Sequence, residues 1–158
     1  MKYVDTLVTF SEIPDEITLA INISGCKNAC PGCHSPYLAE DIGKPLTETS
    51  LSLLINNNKG ITCVCLMGGD ANPMYINQLA EMIRGEFADI KVAWYSGKQE
   101  LSEYIELKNF DYIKLGPYIE EKGPLNNPNT NQRLYDVCRL SKLPDKFMLK
   151  DITNKFWK

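Results

Sequence analysis

Three cysteines lie close together in the first quarter of the chain. Cys26, Cys30 and Cys33 are separated by four and three residues, with Pro31 and Gly32 between the last two. A closed zinc site and a closed four-iron cluster each use four protein ligands. Three thiolates would leave one iron of a cluster without a protein ligand. The spacing therefore favours a metal centre that can bind and transform a substrate.

Zinc is the alternative metal that the same residues could bind. The interval from Cys30 to Cys33 is typical of zinc knuckles, and His34 or Cys138 could complete a tetrahedral site. His34 is the only histidine and directly follows a cysteine of the group. We therefore expect its side chain to point away from a metal and to pack or donate a hydrogen bond instead.

The remaining cysteines have the pattern of structural residues. Cys63 and Cys65 lie two positions apart in an apolar run, so a strand there would direct both thiols to one face. Small buried thiols usually belong to the core. Cys138 stands alone and is predicted to lie in the core or at a sheet edge.

A turn of unusual composition follows the apolar run 61–67. Gly68 and Gly69 lack side chains, which lets backbone approach a ligand closely, and Asp70 could accept hydrogen bonds from an ammonium group. The alternative is an ordinary turn between a strand and a helix, since such residues are common there. The nearby cysteine motif favours the functional interpretation.

The elements around these residues alternate between strands and helices. Helices are predicted after Thr47, from Asn72-Pro73 and over 100–107, and a long loop is predicted over 120–131. The tail from residue 146 has no clear period. Strands are predicted at 3–10, 16–24, 61–67, 90–95, 112–115 and 133–138. The alternation predicts an α/β fold with parallel strands, either a sheet or an incomplete barrel, and ligands beyond the carboxyl ends of the strands.

Length and charge restrict the class of protein. The 158 residues predict one domain over 1–158. The net charge of −3 and pI near 5.2 give no basic field for nucleic acid, which is not expected as a partner. No apolar run approaches the roughly 20 residues that span a bilayer, so no membrane association is expected. The first residues lack a signal-peptide core, which predicts a cytoplasmic location.

The segment from Cys26 to Cys33 matches the CxxxCxxC signature of radical S-adenosylmethionine enzymes, and Gly68-Gly69-Asp70 resembles the glycine turn of that family. The family resemblance implies an incomplete (β/α) barrel with a mostly parallel sheet. Within the family, the chain is similar to the activating proteins of anaerobic, class III ribonucleoside-triphosphate reductases. The stretches that carry this similarity are GCKNACPGCHSPYL, MGGDANP, WYSG, DYIKLGPYIEE and Asn131-Gln132-Arg133.

The resemblance implies roles for the motif residues. Cys26, Cys30 and Cys33 would hold a [4Fe–4S] cluster whose open iron binds the amino and carboxylate groups of S-adenosylmethionine. An electron from the reduced cluster would cleave that cofactor to methionine and a 5′-deoxyadenosyl radical. Cofactor contacts are implied for the backbone around the adenine and for the glycine turn, at Gly32, His34, Gly68, Gly69 and Asp70.

The implied activity is that of an oxidoreductase that generates a glycyl radical on the catalytic subunit of anaerobic ribonucleotide reductase. A flavodoxin or ferredoxin would donate the electron, and the loop 120–131 is predicted to form part of the docking surface. Two alternatives use the same chemistry, on another glycyl-radical enzyme or on a small molecule. A third is a noncatalytic zinc or iron–sulfur binding module. The sequence leaves the partner and the oligomeric state open.

Overall fold

One sheet organises the chain. The computed structural model describes residues 1–157, apart from the side chain of Pro144. The α-helices are α1 (Glu48–Asn57) and α2 (Pro73–Glu86). The strands are β1 (Lys2–Thr9), β2 (Thr18–Ile23), β3 (Lys44–Pro45), β4 (Cys63–Met67), β5 (Lys91–Tyr95), β6 (Tyr112–Leu115), β7 (Arg133–Leu140) and β8 (Leu143–Asp151). Lys158, the last residue of the predicted domain, lies outside the described residues.

The sheet has a parallel centre and antiparallel sides. Its strand order is β3-β1-β2-β4-β5-β6-β7-β8. The four central strands β2, β4, β5 and β6 run parallel to one another. On either side the pairings are antiparallel, between β1 and both of its neighbours, between β6 and β7, and between β7 and β8. The carboxyl ends of the four central strands therefore meet at one edge. This is the edge at which the sequence predicts that ligands bind.

The expectation of an incomplete (β/α) barrel with a mostly parallel sheet is wrong. Among residues 1–157, four of the seven strand pairings are antiparallel and only two α-helices form. The helix predicted over 100–107 is replaced by bends and a 3-10 turn at Leu107–Asn109. There the Glu106 N–H donates to the Asn77 side chain of α2 instead of to a carbonyl one turn earlier. The connection from β5 to β6 consequently lacks a helix, and the unassigned tail adds the antiparallel strand β8.

Both helices begin where their capping residues predicted. Thr47 caps α1, since its hydroxyl accepts from the Ser50 N–H at 3.1 Å while the Ser50 hydroxyl accepts from the Thr47 N–H at 2.8 Å. Asn72 caps α2 by accepting from the Tyr75 N–H at 3.2 Å, and Pro73 occupies the first helical turn. Within residues 1–157, neither helix has the length and apolar character needed to span a bilayer.

The two faces of the sheet are covered differently. Both helices pack on one face, against alternate side chains of the central strands that include Leu66 and Trp94. The opposite face is covered by loops, and its buried cluster contains Cys63 and Cys65. Burial raises the pKa of both thiols above the ordinary range, which keeps them protonated. The prediction that these two cysteines belong to the core is confirmed.

Candidate metal centre

The three clustered cysteines lie on a loop that leaves the carboxyl end of β2 and returns to it. The Gly25 N–H donates to the Glu40 carbonyl at 3.1 Å, and the Cys26 N–H donates to the Leu38 carbonyl at 2.9 Å. A 3-10 turn at Pro36–Ala39 turns the chain back. These contacts close residues 25–40 into a compact excursion, which we call the cysteine loop. Its position at the carboxyl edge of the parallel strands is the one predicted.

All three cysteines of the loop line one surface cavity of about 200 Å³. Cys26 and Cys30 are half-buried, Cys33 is exposed, and all three are free thiols. The Cys33 N–H donates to the Cys30 carbonyl at 3.2 Å. The Ser35 N–H donates to the Cys33 sulfur at 3.4 Å, which fixes the position of that sulfur on the loop. The other described residues that line the cavity are Ala29, Ser35, Pro36 and Ala39.

The cavity suits a cluster better than a single ion. A zinc site needs sulfur atoms about 2.3 Å from one point. In the described part of the chain, no group of three or more His, Cys, Asp or Glu side chains is gathered closely enough to hold one metal ion. Thiolates that bind a four-iron cluster attach to different irons, so their sulfur atoms need not converge on one point. A single cavity lined by all three cysteines is compatible with that arrangement.

Asp70 fastens the cysteine loop to the sheet. One carboxylate oxygen accepts from the Asn28 side chain of the loop at 2.7 Å and from the Gly97 N–H at 2.9 Å. The other oxygen accepts from the Ser96 hydroxyl at 2.5 Å. Two carboxylate oxygens offer about four acceptor positions, so these donors leave Asp70 about one. The residue thus joins the carboxyl ends of β4 and β5 to the loop between Cys26 and Cys30.

The glycine turn is packed tightly against the helix face of the sheet. The Gly68 carbonyl accepts from the Trp94 indole N–H at 2.8 Å, and the Gly68 N–H donates to the Tyr95 carbonyl at 2.9 Å. Gly69 has φ of 85°, and a Cβ there would lie 2.5 Å from the Cδ1 atom of buried Ile76. The positive φ and the contact with Ile76 together therefore favour a glycine at position 69, independently of any ligand.

A second loop closes against the cysteine loop from the side of β6. The His34 and Tyr118 rings meet edge to face with centroids 4.9 Å apart. Gly32 has φ of 70°, and a Cβ there would lie 3.0 Å from the Glu120 carboxylate. The predicted site residues Gly32 and His34 are thus brought beside the loop that follows β6. Both remain exposed to solvent.

Lys114 is a buried cation near the same strand ends. It lies on β6, is 8% exposed, and faces the side of the sheet that carries no helix, with its ammonium 5.7 Å from the Tyr95 ring centroid. The ammonium donates to the Gly116 carbonyl at 3.0 Å and to the Ser96 carbonyl at 3.4 Å. Burial lowers the pKa of Lys114 to about 8, although Asp70, Cys30, Cys65 and Glu12 oppose that shift.

Sequence reasoning missed several residues that shape this region. Asn28, Tyr118 and Glu120 act through contacts with residues far away in sequence, and no local pattern marks them. Ser96 directly follows the strand predicted at 90–95, a position near the site, but the sequence does not indicate its bond to Asp70. Lys114 carried a usable signal, since a lysine interrupts an otherwise apolar strand.

The comparisons with known proteins identify the family. A family model described as a 4Fe-4S single cluster domain matches residues 17–134, which is about three quarters of the chain. The match includes the whole cysteine loop, the glycine turn and the four parallel strands. No match was found among curated proteins or among solved structures. The chain therefore belongs to the 4Fe-4S single cluster domain family and is an iron–sulfur protein.

Proposed function

We propose that Cys26, Cys30 and Cys33 hold the [4Fe–4S] cluster with one iron free of protein ligands, and that the chain cleaves S-adenosylmethionine to generate a glycyl radical on the catalytic subunit of anaerobic ribonucleotide reductase. The observation that carries the proposal is the shared cavity. Among the described residues that line it, only the three cysteines are thiols, and Cys63, Cys65 and Cys138 lie elsewhere.

Openness of the cavity supports a catalytic centre rather than a structural one. Cys33 is exposed, as are Ala29, Pro36 and Ala39 of the lining. A closed structural site surrounds its metal with protein ligands, whereas a catalytic site keeps one position accessible. When bound, a cluster of this kind supplies the electron that splits the sulfonium bond of S-adenosylmethionine. The chain has to position that cofactor and to admit a macromolecular substrate.

The residues beside the cavity divide this positioning between them. Asn28 and Asp70 hold the cysteine loop against the strand ends. Asp70 retains about one acceptor position, which an ammonium group of the cofactor would occupy. Gly68 lacks a side chain at the same edge, and its own N–H and carbonyl are held by Tyr95 and Trp94. Gly32 and His34 offer backbone groups to an adenine, with Tyr118 packed against His34 from the outside.

The loop that follows β6 is our candidate for the partner surface, with a flavodoxin or ferredoxin as the electron donor. Part of this loop is structural, since Leu125 packs on the helix-free face and the Thr130 hydroxyl donates to the Gly123 carbonyl at 3.2 Å. Deleting the whole loop would therefore expose buried residues of the helix-free face. The surface is better tested by substituting its exposed residues, which include Glu121 and Lys122.

The decisive experiment is anaerobic reconstitution with iron and sulfide, followed by reduction in the presence of S-adenosylmethionine. Iron content and 5′-deoxyadenosine would be measured for the unaltered chain, for Cys30→Ala and for the control Cys138→Ala. Cys138 is a half-buried free thiol on β7, outside the cavity. We expect Cys30→Ala to lose the cluster and the product, and Cys138→Ala to keep both.

The partner is tested by mixing the reduced protein with anaerobic ribonucleotide reductase and recording the glycyl radical by electron paramagnetic resonance. Glu121→Lys combined with Lys122→Glu should weaken the radical signal and leave 5′-deoxyadenosine formation unchanged. Product formation without a radical would redirect the proposal to another glycyl-radical enzyme or to a small molecule. A protein that loads its metal centre but forms no 5′-deoxyadenosine would be a binding module.

A further inference from the structure

The ammonium of Lys114 is a buried charge whose compensation is incomplete. Two backbone carbonyls and the Tyr95 ring surround it. In the part of the chain that the structure describes, Lys114 forms no ion pair with a carboxylate. Buried lysines are rare unless they are paired, because the desolvation of an ammonium is costly. An apolar residue of similar length would fill the same space at lower cost.

Its location connects this charge to the cysteine loop. Lys114 donates to the Ser96 carbonyl, and the Ser96 hydroxyl donates to Asp70. Asp70 in turn accepts from Asn28, which lies between Cys26 and Cys30. The ammonium is thus two residues away from the cysteine loop along one hydrogen-bonded path. Of the negative groups that raise the pKa of Lys114 against its burial, Asp70 and Cys30 have the largest effect.

A cluster in this cavity brings negative charge within electrostatic range of Lys114, since Cys30 of the cavity already acts on its pKa. Three thiolates outweigh the positive charge of an oxidised four-iron core, and one-electron reduction adds a further negative charge. The potentials of iron–sulfur clusters depend on net charge, hydrogen bonding and solvent exposure. A fixed cation in a region of low dielectric stabilises the more negative, reduced form. Exposed lysines act less strongly because water and salt screen them.

We propose that Lys114 is a positioning residue that acts on the cluster through its charge, offsetting the negative charge of the thiolate-bound centre and raising its reduction potential. The inference rests on the proposed ligation by Cys26, Cys30 and Cys33. It does not depend on cleavage of S-adenosylmethionine. Failure of the cleavage assay would therefore leave it standing.

The test is a redox titration of the reconstituted protein with dithionite, following the reduced cluster by electron paramagnetic resonance. Lys114→Met removes the charge with little change in volume, and Lys114→Arg keeps the charge. Lys98→Met is the matched control, because Lys98 follows β5 at the same edge and is exposed. We expect a more negative midpoint potential for Lys114→Met, and potentials close to that of the unaltered protein for Lys114→Arg and Lys98→Met.

Two outcomes of the redox titration would overturn the inference. One is a Lys114→Met midpoint equal to that of the unaltered protein, and the other is an equal shift in Lys98→Met. If Lys114→Met fails to load a cluster, circular dichroism and thermal unfolding of the protein before reconstitution decide the outcome. A folded Lys114→Met that cannot load, beside a Lys114→Arg that loads normally, supports charge compensation. Loss of loading in both variants with lowered unfolding temperatures would assign Lys114 a structural role instead.

Discussion

At the level of single residues, Asp70 explains how the cysteine loop keeps its place. The sequence interpretation assigned it to a cofactor ammonium, and its carboxylate is largely occupied by donors from Asn28, Ser96 and Gly97. Hydrogen bonds to a charged acceptor are stronger than those between neutral groups. Asp70 therefore serves first as an anchor for the loop that carries the thiols.

Asp70→Asn should loosen this anchor. The amide keeps one acceptor oxygen but turns an N–H₂ group toward donors, so at least one of the three partners loses its bond. We expect the free energy of unfolding to fall by about 2 kcal/mol and the iron content after reconstitution to fall with it. Asp89→Asn is the control, since Asp89 is exposed. Equal iron content in both variants would show that Asp70 is not needed to hold the loop.

The cysteines could be found from sequence because their relation is local. Cys26, Cys30 and Cys33 lie within eight residues, and their spacing alone indicates a shared ligand. The contacts that fix the loop are not local. Asn28 and Asp70 are 42 residues apart, and His34 and Tyr118 are further apart still. A single sequence carries no pattern that pairs such residues, so the anchors became visible only in the folded chain.

At the level of elements, the amino ends of the parallel strands are tied together by one buried carboxylate. Glu16 lies just before β2 and accepts from Lys91 of β5 at 2.5 Å and from Tyr112 of β6 at 2.9 Å. It also accepts from Thr62, just before β4, at 2.6 Å. Burial would raise the pKa of Glu16, but these three donors outweigh it and hold the pKa below the ordinary 4.5.

Glu16→Gln should destabilise the protein in a pH-dependent way. At pH 7 we expect a loss of about 2 kcal/mol, with the contribution of half-exposed Lys91 reduced by solvent screening. Because the folded state lowers the pKa of Glu16, its stabilisation is present above that ordinary value and is lost as pH falls through the folded pKa. Denaturant unfolding of Glu16→Gln and of the unaltered protein at about pH 7 and about pH 3 measures the difference between their free energies of unfolding. That difference should be smaller at the lower pH.

Exposed Glu103→Gln provides the control for that comparison, and its stability should match that of the unaltered protein at both pH values. A gap for Glu16→Gln that stays constant with pH would mean that the charge of Glu16 contributes nothing. In that case, shape and hydrogen bonding alone would hold the strand ends.

Most elements were predictable because their patterns are regular. Ile61 to Met67 is almost continuously apolar and forms β4 from Cys63 onward, and Thr47 and Asn72 carry cap side chains. The prediction of a helix over 100–107 is wrong although two leucines and an isoleucine there have near-helical spacing. These side chains pack against the buried cluster on the helix face of the sheet, and the Glu106 N–H donates to Asn77 of α2. The sequence does not predict the strand β8, because its side chains are mostly exposed and it forms by pairing with β7. Together with the antiparallel pairings of β1, β3 and β7, these two elements account for the wrong prediction of a barrel.

At the level of the whole molecule, the sheet has open edges. Among the described strands, β3 covers only Lys2 and Tyr3 of β1, and no strand pairs with the outer side of β8. Beyond Tyr3 the backbone on the outer edge of β1 is therefore unpaired. Apolar side chains at this edge are also exposed, with Leu7 62% exposed and Phe10, just after the strand, 75% exposed. Unpaired strands with apolar side chains are templates for association with another chain.

Leu7→Lys should reduce self-association at high protein concentration without loss of stability, because a charge on an edge strand opposes edge-to-edge pairing. Static light scattering over a concentration series measures the effect. Leu53→Lys is the matched control, since Leu53 is 58% exposed but lies on α1, away from the edges. A similar decrease in both variants would attribute the effect to net charge instead of to the strand edge.

The order of strands in the sheet also bears on how the protein is made. Apart from β3, each strand lies beside the next strand in the chain, so a growing polypeptide can add strands one at a time as it leaves the ribosome. The three cysteines are synthesised before the residues that fasten their loop, since Asp70, Ser96 and Gly97 come 37 or more residues after Cys33. Iron–sulfur assembly factors would therefore meet a properly held cysteine loop only after β5 has been translated and folded.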